Sequence, residues 1–160
     1  YNTLEIIDRI RKFRFEKVSP LLGEVKMTIT QIQAGTQHNV IPDRCTFVTD
    51  VRSNELYTNL EILGSLQQEI PCLIQPRSLR LNSSRTDPSH PFVRRTELLG
   101  CIPFGSPTLS DQALMPFPSV KIGPGDSARS HTADEYIRTE EIREAIEIYL
   151  NLLDGLSLPD

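Results

Sequence analysis

A glycine-bracketed turn near the C-terminal end of the chain leads to a histidine followed by two acids. Residues 123–136 read Gly-Pro-Gly-Asp-Ser-Ala-Arg-Ser-His-Thr-Ala-Asp-Glu-Tyr, between an apolar segment and a long predicted helix. The imidazole of His131 is a candidate metal ligand, and Asp134 or Glu135 would fix its tautomer through a hydrogen bond. One imidazole cannot hold a catalytic zinc ion, because such sites use about three protein ligands. Since no His-Glu-x-x-His pair is present, spacing alone favours a loop histidine bonded to a nearby carboxylate.

A second polar cluster occupies residues 35–42, with the sequence Gly-Thr-Gln-His-Asn-Val-Ile-Pro. It is either a long hairpin loop with a polar tip or an arm that carries His38 or Asn39 into a site built elsewhere. Further along, Arg52 follows Asp50 on one face of a predicted strand. Such a pair is usually a surface salt bridge, whereas a guanidinium at a strand end also has the shape to bind a substrate carboxylate.

Other polar residues give weaker signals. Thr108, Ser110 and Asp111 are typical of a helix N-cap and could also donate to an anion. Gly123 and Gly125, on either side of a proline, indicate a turn more often than a phosphate-binding loop. The chain has no Gly-x-Ser-x-Gly motif, no Walker motif and no paired Cys and His nucleophile.

The composition excludes several classes of partner. Apolar residues make up 38% and charged residues 24% of the chain, as in a soluble globular protein. The net charge of −4 predicts no nucleic-acid partner and no membrane partner, because both require a basic surface. No apolar run approaches the roughly 20 residues that span a bilayer. The three cysteines lie far apart without a Cys-x-x-Cys pair, which is typical of free thiols in a reducing cytoplasm.

Hydrophobic periodicity divides the first half of the chain into elements in the order α-β-β-α-β. Ile32 is out of phase with the first strand, which predicts either a bulge or a change of face near Thr30. The order corresponds to a split βαβ unit of the ferredoxin-like kind without its opening strand, whose unpaired sheet edge should favour dimerisation. The predicted elements are a helix to about residue 13, strands over residues 25–30, 45–52 and 72–81, and a helix from the Thr58 capping box to Pro71.

The second half of the chain follows a polar, turn-rich segment, residues 82–90, which is the best linker candidate. We therefore predict an α+β protein with two domains, residues 1–82 and 83–160. The predicted elements of the second domain are a helix from Pro91 to Leu99, a strand over residues 119–122, and a helix that is capped by Thr139 and ended by Gly155.

Two segments resemble the zinc-dependent N-acyl-amino-acid amidohydrolases, a family that includes acetylornithine deacetylase, succinyl-diaminopimelate desuccinylase and the glutamate carboxypeptidases. Residues 27–43, Met-Thr-Ile-Thr-Gln-Ile-Gln-Ala-Gly-Thr-Gln-His-Asn-Val-Ile-Pro-Asp, continuing to Asp50-Val51-Arg52, are similar to the centre of the family's ferredoxin-like dimerisation (lid) domain. Residues 123–136 are similar to the end of its α/β catalytic domain, in a form closest to acetylornithine deacetylases. The resemblance extends over nearly the whole chain, but over only the C-terminal half or so of a family member.

The resemblance implies roles for individual residues. His131 would be the last metal ligand, in contact with one of two zinc ions. Asn39 would have a catalytic role at the acyl carbonyl, in the active site of the partner subunit, and would also bind substrate. Arg52 would hold the substrate carboxylate, and Gly123 and Gly125 would line the substrate site.

The resemblance also implies a homodimer formed through the lid domain and a small N-acyl amino acid as substrate. The substrate would be N-acetyl- or N-succinyl-ornithine-like, in cytoplasmic arginine biosynthesis. The family's earlier ligands, a His-x-Asp motif, a bridging Asp and a Glu-Glu pair, are not present in this sequence, whose Glu140 and Glu141 lie at the start of the last predicted helix. We therefore expect a C-terminal fragment that is inactive alone. The alternative is a non-catalytic module that associates with a copy of itself.

Overall fold

The structure is a computed structural model that describes residues 2–106 and 108–157. It contains two compact units, one formed by Tyr1–Ser84 and Gly105–Leu114 and the other by Arg85–Phe104 and Met115–Asp160. Helices and a two-stranded antiparallel sheet make up the described elements, which confirms the predicted α+β class. None of the helices in the described part is long and apolar enough to cross a membrane.

The first unit begins with α1 (Asn2–Lys12), which contacts a hairpin of β1 (Lys26–Ala34) and β2 (Cys45–Arg52). The three elements lie where the periodicity predicts them, because each directs apolar residues to a shared core. The buried members of this core are Ile10, Phe15, Val25, Ile62, Leu66 and Ile70.

The predicted bulge in β1 is confirmed. Ile29 is opposite Thr49 and Gln31 is opposite Val48, so Thr30 has no Cα partner on the neighbouring strand. The extra residue places Ile32 opposite Phe47, on the same face of the hairpin as Ile29, which accounts for its out-of-phase position in the sequence. Ile32 itself stays 57% exposed.

A capping box fixes the N-terminus of α2 (Asn59–Glu69). Thr58 Oγ1 accepts a hydrogen bond from the backbone N–H of Glu61 at 3.2 Å, and Glu61 Oε2 accepts one from the backbone N–H of Thr58 at 2.7 Å. Ile70 is the C-cap, directly before Pro71. Both the predicted capping box and the predicted end of this helix are confirmed.

The predicted third strand over residues 72–81 is wrong. Within the described residues this segment pairs with no strand and is instead bound by the start of α2. Asn59 Nδ2 donates to the carbonyl oxygen of Leu81 at 2.8 Å, and the backbone N–H of Asn59 donates to Asn82 Oδ1 at 2.8 Å. Pro76, in the middle of the segment, has no N–H to donate to a strand ladder.

The second unit is built on α3 (Pro91–Leu98) packed against α4 (Thr139–Leu153). Arg95 ties the two helices together, because its guanidinium donates to the carbonyl oxygens of Asn151 and Asp154 at the C-terminal end of α4. The buried residues of this unit are Val93, Thr96, Ala145 and Leu152.

The predicted strand over residues 119–122 is also wrong for the described chain. The carbonyl oxygen of Ser119 accepts a hydrogen bond from Thr86 Oγ1 at 2.6 Å, and the N–H of Ser119 donates to the same hydroxyl at 3.0 Å. The hydroxyl of Tyr149 donates to the carbonyl oxygen of Ile122 at 3.2 Å. Side chains therefore use the backbone groups that a strand ladder would need.

The N-cap of α4 differs from the prediction by one residue. Arg138 is the N-cap and Thr139 is the first helical residue. The backbone N–H of Arg138 donates to Glu141 Oε2 at 2.9 Å, so the carboxylate three residues ahead satisfies the cap position.

Candidate functional site

The loop between β1 and β2 carries His38 and Asn39 in an exposed turn. Gly35 opens this loop with a φ of +77°, and a Cβ at Gly35 would lie 3.3 Å from Pro42 Cγ. The left-handed backbone and the close approach both favour glycine. The two ends of the loop are thus held close together, and its polar tip stays exposed.

Arg52 lies at the other end of the same hairpin, opposite Lys26 of β1. Arg52 Nε donates to Asp50 Oδ2 at 2.7 Å, with side-chain exposures of 59% and 45%. An ion pair with this exposure contributes little to stability, so the guanidinium can exchange its partner at low cost. The structure does not bring Arg52 and Asn39 together, because the length of β2 separates them.

The turn around His131 is held by local hydrogen bonds in the second unit. The side chain of Asp126 caps a 3-10 turn, Ser127–Arg129, by accepting from a backbone N–H at 2.9 Å. Thr132 Oγ1 then donates to the carbonyl oxygen of Arg129 at 2.6 Å. Both bonds are made within the loop, so the backbone on either side of the histidine is constrained.

His131 itself has a φ of +62°, which is uncommon for a residue other than glycine. Its backbone N–H donates to Glu135 Oε2 at 2.9 Å, and Asp134 is also left-handed, with a φ of +58°. The acid therefore binds the backbone of the histidine. The imidazole is exposed and makes no hydrogen bond with the described residues, which leaves both ring nitrogens available.

Glu141, in the first turn of α4, accepts four hydrogen bonds. Arg129 Nη1 and Nη2 donate to it at 3.0 and 2.5 Å, and the backbone N–H and Nη2 of Arg138 donate at 2.9 and 3.0 Å. The bonds from Arg129, followed by those from Arg138, lower the pKa of Glu141 to about 2. The same contact raises the pKa of Arg129, whose guanidinium also lies 4.8 Å from the ring centre of Tyr136.

The two glycines of the turn differ in their surroundings. Gly125 has a φ of +76°, and a Cβ there would lie 3.3 Å from Arg129 Nη2 and 3.5 Å from Glu141 Oε2. A Cβ at Gly123 would meet nothing within 4 Å. Only Gly125 is therefore required by the geometry of the turn, because it lets the backbone approach the ion pair.

Thr108, Ser110 and Asp111 belong to the first unit. Asp111 opens the 3-10 helix Asp111–Leu114, so Ser110 and Asp111 lie at the start of a helical turn, as an N-cap pattern predicts. The hydroxyl of Thr108 is 2.6 Å from the hydroxyl of Ser106. These hydroxyls thus have local partners.

No group of three or more His, Cys, Asp or Glu side chains is placed to hold a metal ion in the described part of the chain. The exposed imidazole of His131 fits a single ligand position, whereas a zinc site needs about three protein ligands. Sequence reasoning missed Arg129 and Glu141. Their contact joins positions 12 residues apart across an irregular loop. No helical or strand periodicity in the sequence indicates a contact at that separation.

Comparison with known families gives a match in the first unit. Residues 2–71 match the model of the M20 peptidase dimerisation domain. The match covers less than half of the chain and includes α1, the hairpin and α2. None of the curated proteins matches the chain. The match shows that the first unit is similar to the dimerisation domains of M20 peptidases.

Proposed function

We propose that the chain is part of a metal-dependent deacylase that hydrolyses the amide of N-acetyl- or N-succinyl-ornithine-like substrates. The observation that carries this proposal is the match of residues 2–71 to the M20 peptidase dimerisation domain. The turn around His131 adds support, because a constrained loop with an exposed, unpartnered imidazole suits a metal ligand. The substrate and a role in cytoplasmic arginine biosynthesis rest on the resemblance to acetylornithine deacetylases.

In this proposal His131 is one ligand in a site for two zinc ions, and the other ligands come from residues outside these 160. Bound zinc would supply a water molecule that is nucleophilic near neutral pH. This chain's contribution is to present the imidazole in a fixed orientation. The left-handed backbone and its hydrogen bond to Glu135 serve that purpose.

The hairpin would supply the substrate contacts. The amide of Asn39, at the exposed tip, has the donors to bind an acyl oxygen in the partner's active site. Arg52 would exchange Asp50 for the substrate carboxylate, since its present ion pair is exposed. Gly123 and Gly125 would allow the substrate to approach the backbone of the histidine turn.

The homodimer would form through the first unit. In the described chain the sheet has only β1 and β2, so each strand has one unpaired edge. Unpaired edges favour addition of a strand or coverage by another surface. A dimer in sedimentation equilibrium is the expected result, and a monomer at high concentration would contradict it.

The metal-ligand role is tested in the complete polypeptide that carries this chain. We expect His131→Ala to reduce bound zinc and to lower kcat/KM at least about 100-fold, as the loss of a metal ligand should. The matched control is His90→Asn, because His90 Nδ1 accepts from the N–H of Phe92 at 3.2 Å at the start of α3 and asparagine also caps helices. Full zinc content and activity in the His131 variant would reject the role.

The carboxylate clamp has its own pair of variants. Arg52→Ala should cost about 2–5 kcal/mol of transition-state binding, as for a broken charge pair. Asp50→Asn removes the present ion pair but keeps the guanidinium, so it should leave kcat/KM within about threefold, in line with an exposed pair. If both changes have equally small effects on kcat/KM, Arg52 does not bind the substrate carboxylate.

The second candidate is a non-catalytic module that associates with a copy of itself. It is favoured by the match to a dimerisation domain together with the lack of a metal-binding cluster among the described residues. A dimer that shows no response of the His131 ring to zinc would favour this alternative over the deacylase.

A further inference from the structure

The ion pair between Arg129 and Glu141 differs from the other ion pairs of the described chain in its burial. Its side chains are 18% and 12% exposed, whereas both side chains are at least 45% exposed in the pairs at Lys12, Lys17 and Arg52. It is also bidentate, with two parallel N–H to oxygen bonds. Half-buried bidentate pairs fix geometry more strictly than exposed single contacts.

Arg129 connects this ion pair to the histidine turn through its own backbone. Its carbonyl oxygen accepts from Thr132 Oγ1 at 2.6 Å, and its N–H donates to the carbonyl oxygen of Asp126 at 3.1 Å. Thr132 directly follows His131 in the chain. A fixed guanidinium at Arg129 therefore fixes the backbone before the histidine and, through one hydroxyl, the backbone after it.

The conformation of His131 needs such support. A left-handed backbone is unfavourable for a residue with a side chain, and it persists where the surrounding contacts over-determine it. The hydrogen bond from its N–H to Glu135 is exposed and local. The pair of Arg129 with Glu141 is the contact that ties this loop to α4.

We propose that Arg129 and Glu141 are positioning residues that clamp the loop of residues 125–135 onto the first turn of α4 and thereby orient the imidazole of His131. This proposal rests on the proposed function, in which that imidazole is a metal ligand. Neither Arg129 nor Glu141 would touch metal or substrate. Gly125 belongs to the same device, because its missing side chain lets the loop approach the ion pair.

The test uses two conservative variants and one control. Arg129→Lys keeps the charge but removes the bidentate fork, and Glu141→Gln keeps the shape but removes the charge. Arg138→Ala is the matched control, since it removes the other arginine that binds Glu141. The side chain of Arg138 is 68% exposed. Two NMR readouts are taken on each protein, amide hydrogen exchange and the intraresidue NOE between the N–H and Hα of His131, which is strong only in the left-handed region.

We expect at least about tenfold faster exchange of the His131 amide and a weakened NOE in Arg129→Lys and Glu141→Gln. Amides in the middle of α4 should keep their protection, which separates loss of the clamp from general unfolding. Arg138→Ala should behave as the parent. An unchanged NOE and exchange rate in both variants would overturn the clamp, and so would a loss of protection that is equal throughout α4.

A zinc titration separates the clamp from the ligand role on which it rests. The His131 Cε1–Hε1 resonance is followed while Zn²⁺ is added to the parent and to each variant. Weaker zinc binding in the two clamp variants, by about tenfold, would support both ideas. If the His131 resonance of the parent protein does not shift on addition of zinc, the ligand role is rejected. The hydrogen-exchange result would still show whether Arg129 and Glu141 hold the loop.

Discussion

The side-chain amide of Asn54 donates a hydrogen bond to the carbonyl oxygen of Gly23 at 2.9 Å. Asn54 is 1% exposed and also donates to the carbonyl oxygen of Lys17 at 3.2 Å, while its Oδ1 accepts from the N–H of Leu56 at 3.1 Å. One side chain thus satisfies three backbone groups and joins the loop after α1 to the loop after β2.

We expect Asn54→Ala to lower the free energy of unfolding by about 2–4 kcal/mol, because three backbone groups would lose their partner inside the protein. Asn39→Ala is the matched control at an exposed turn and should change it by less than about 0.5 kcal/mol. Urea denaturation followed by circular dichroism measures both. Similar losses in the two variants would show that burial of Asn54 is not the cause.

The caps of α2 and α4 give a second matched pair. Thr58→Ala removes the hydroxyl that accepts from Glu61 at 3.2 Å and should cost about 1 kcal/mol. Thr139→Ala changes a residue that lies inside α4, after its N-cap, and should cost less than about 0.5 kcal/mol. If Thr139 proved the costlier position, the assignment of Arg138 as the cap would be wrong.

The two glycines of the histidine turn should respond differently to alanine. Gly125→Ala introduces a Cβ in a left-handed position, 3.3 Å from Arg129 Nη2, and should lower the free energy of unfolding by about 1–3 kcal/mol. Gly123→Ala meets no atom within 4 Å and should be neutral or slightly stabilising. Thermal denaturation of both variants measures the difference, and equal Tm values would contradict the prediction that the two positions respond differently.

Ionisation of Glu141 should make the free energy of unfolding depend on pH in the acidic range. Its folded-state pKa is about 2, lowered from 4.5 by its bonds with Arg129 and Arg138. A carboxylate of this kind stabilises the fold above its unfolded pKa, and the contribution is lost as pH falls through the folded value.

We therefore expect the parent protein to be more stable than Glu141→Gln near neutral pH, with the difference shrinking between about pH 4.5 and pH 2. Urea denaturation of both proteins across this range measures the difference. Arg138→Ala should show a smaller loss at neutral pH, because Arg129 remains bound. A difference that does not change across this range would show that Glu141 contributes no charge-dependent stability.

Periodicity and local chemistry predicted most of the first unit. α1, β1, β2 and α2 follow from apolar spacing and from the Thr58 capping box, which are signals contained in neighbouring residues. The bulge at Thr30 was also readable, because a single apolar residue fell out of phase. The absence of a third strand could not be predicted in this way, because a strand forms only beside a neighbouring strand. The alternation in residues 72–81 carries no information about whether such a neighbour is present.

The candidate site was less accessible from sequence. Composition and spacing located His131 and the hairpin, but the left-handed backbone and its tie to Glu135 depend on exact loop geometry. The contact between Arg129 and Glu141 joins a loop to a helix and has no sequence period. Metal binding, the acyl contact of Asn39 and the carboxylate contact of Arg52 stay predictions.

The unmatched residue in β1 lets the hairpin keep one continuous pairing with β2 although β1 is one residue longer than its partner. Deleting Thr30 would leave Ile29 opposite Thr49 and Gln31 opposite Val48, so the ladder would become unbroken without any change of partners. The deletion would remove only the local twist that a bulge adds to its strand. A single-codon deletion is thus expected to alter the angle between the core end of the hairpin and the tip that carries Asn39, while every side chain of the outer half keeps its face of the sheet.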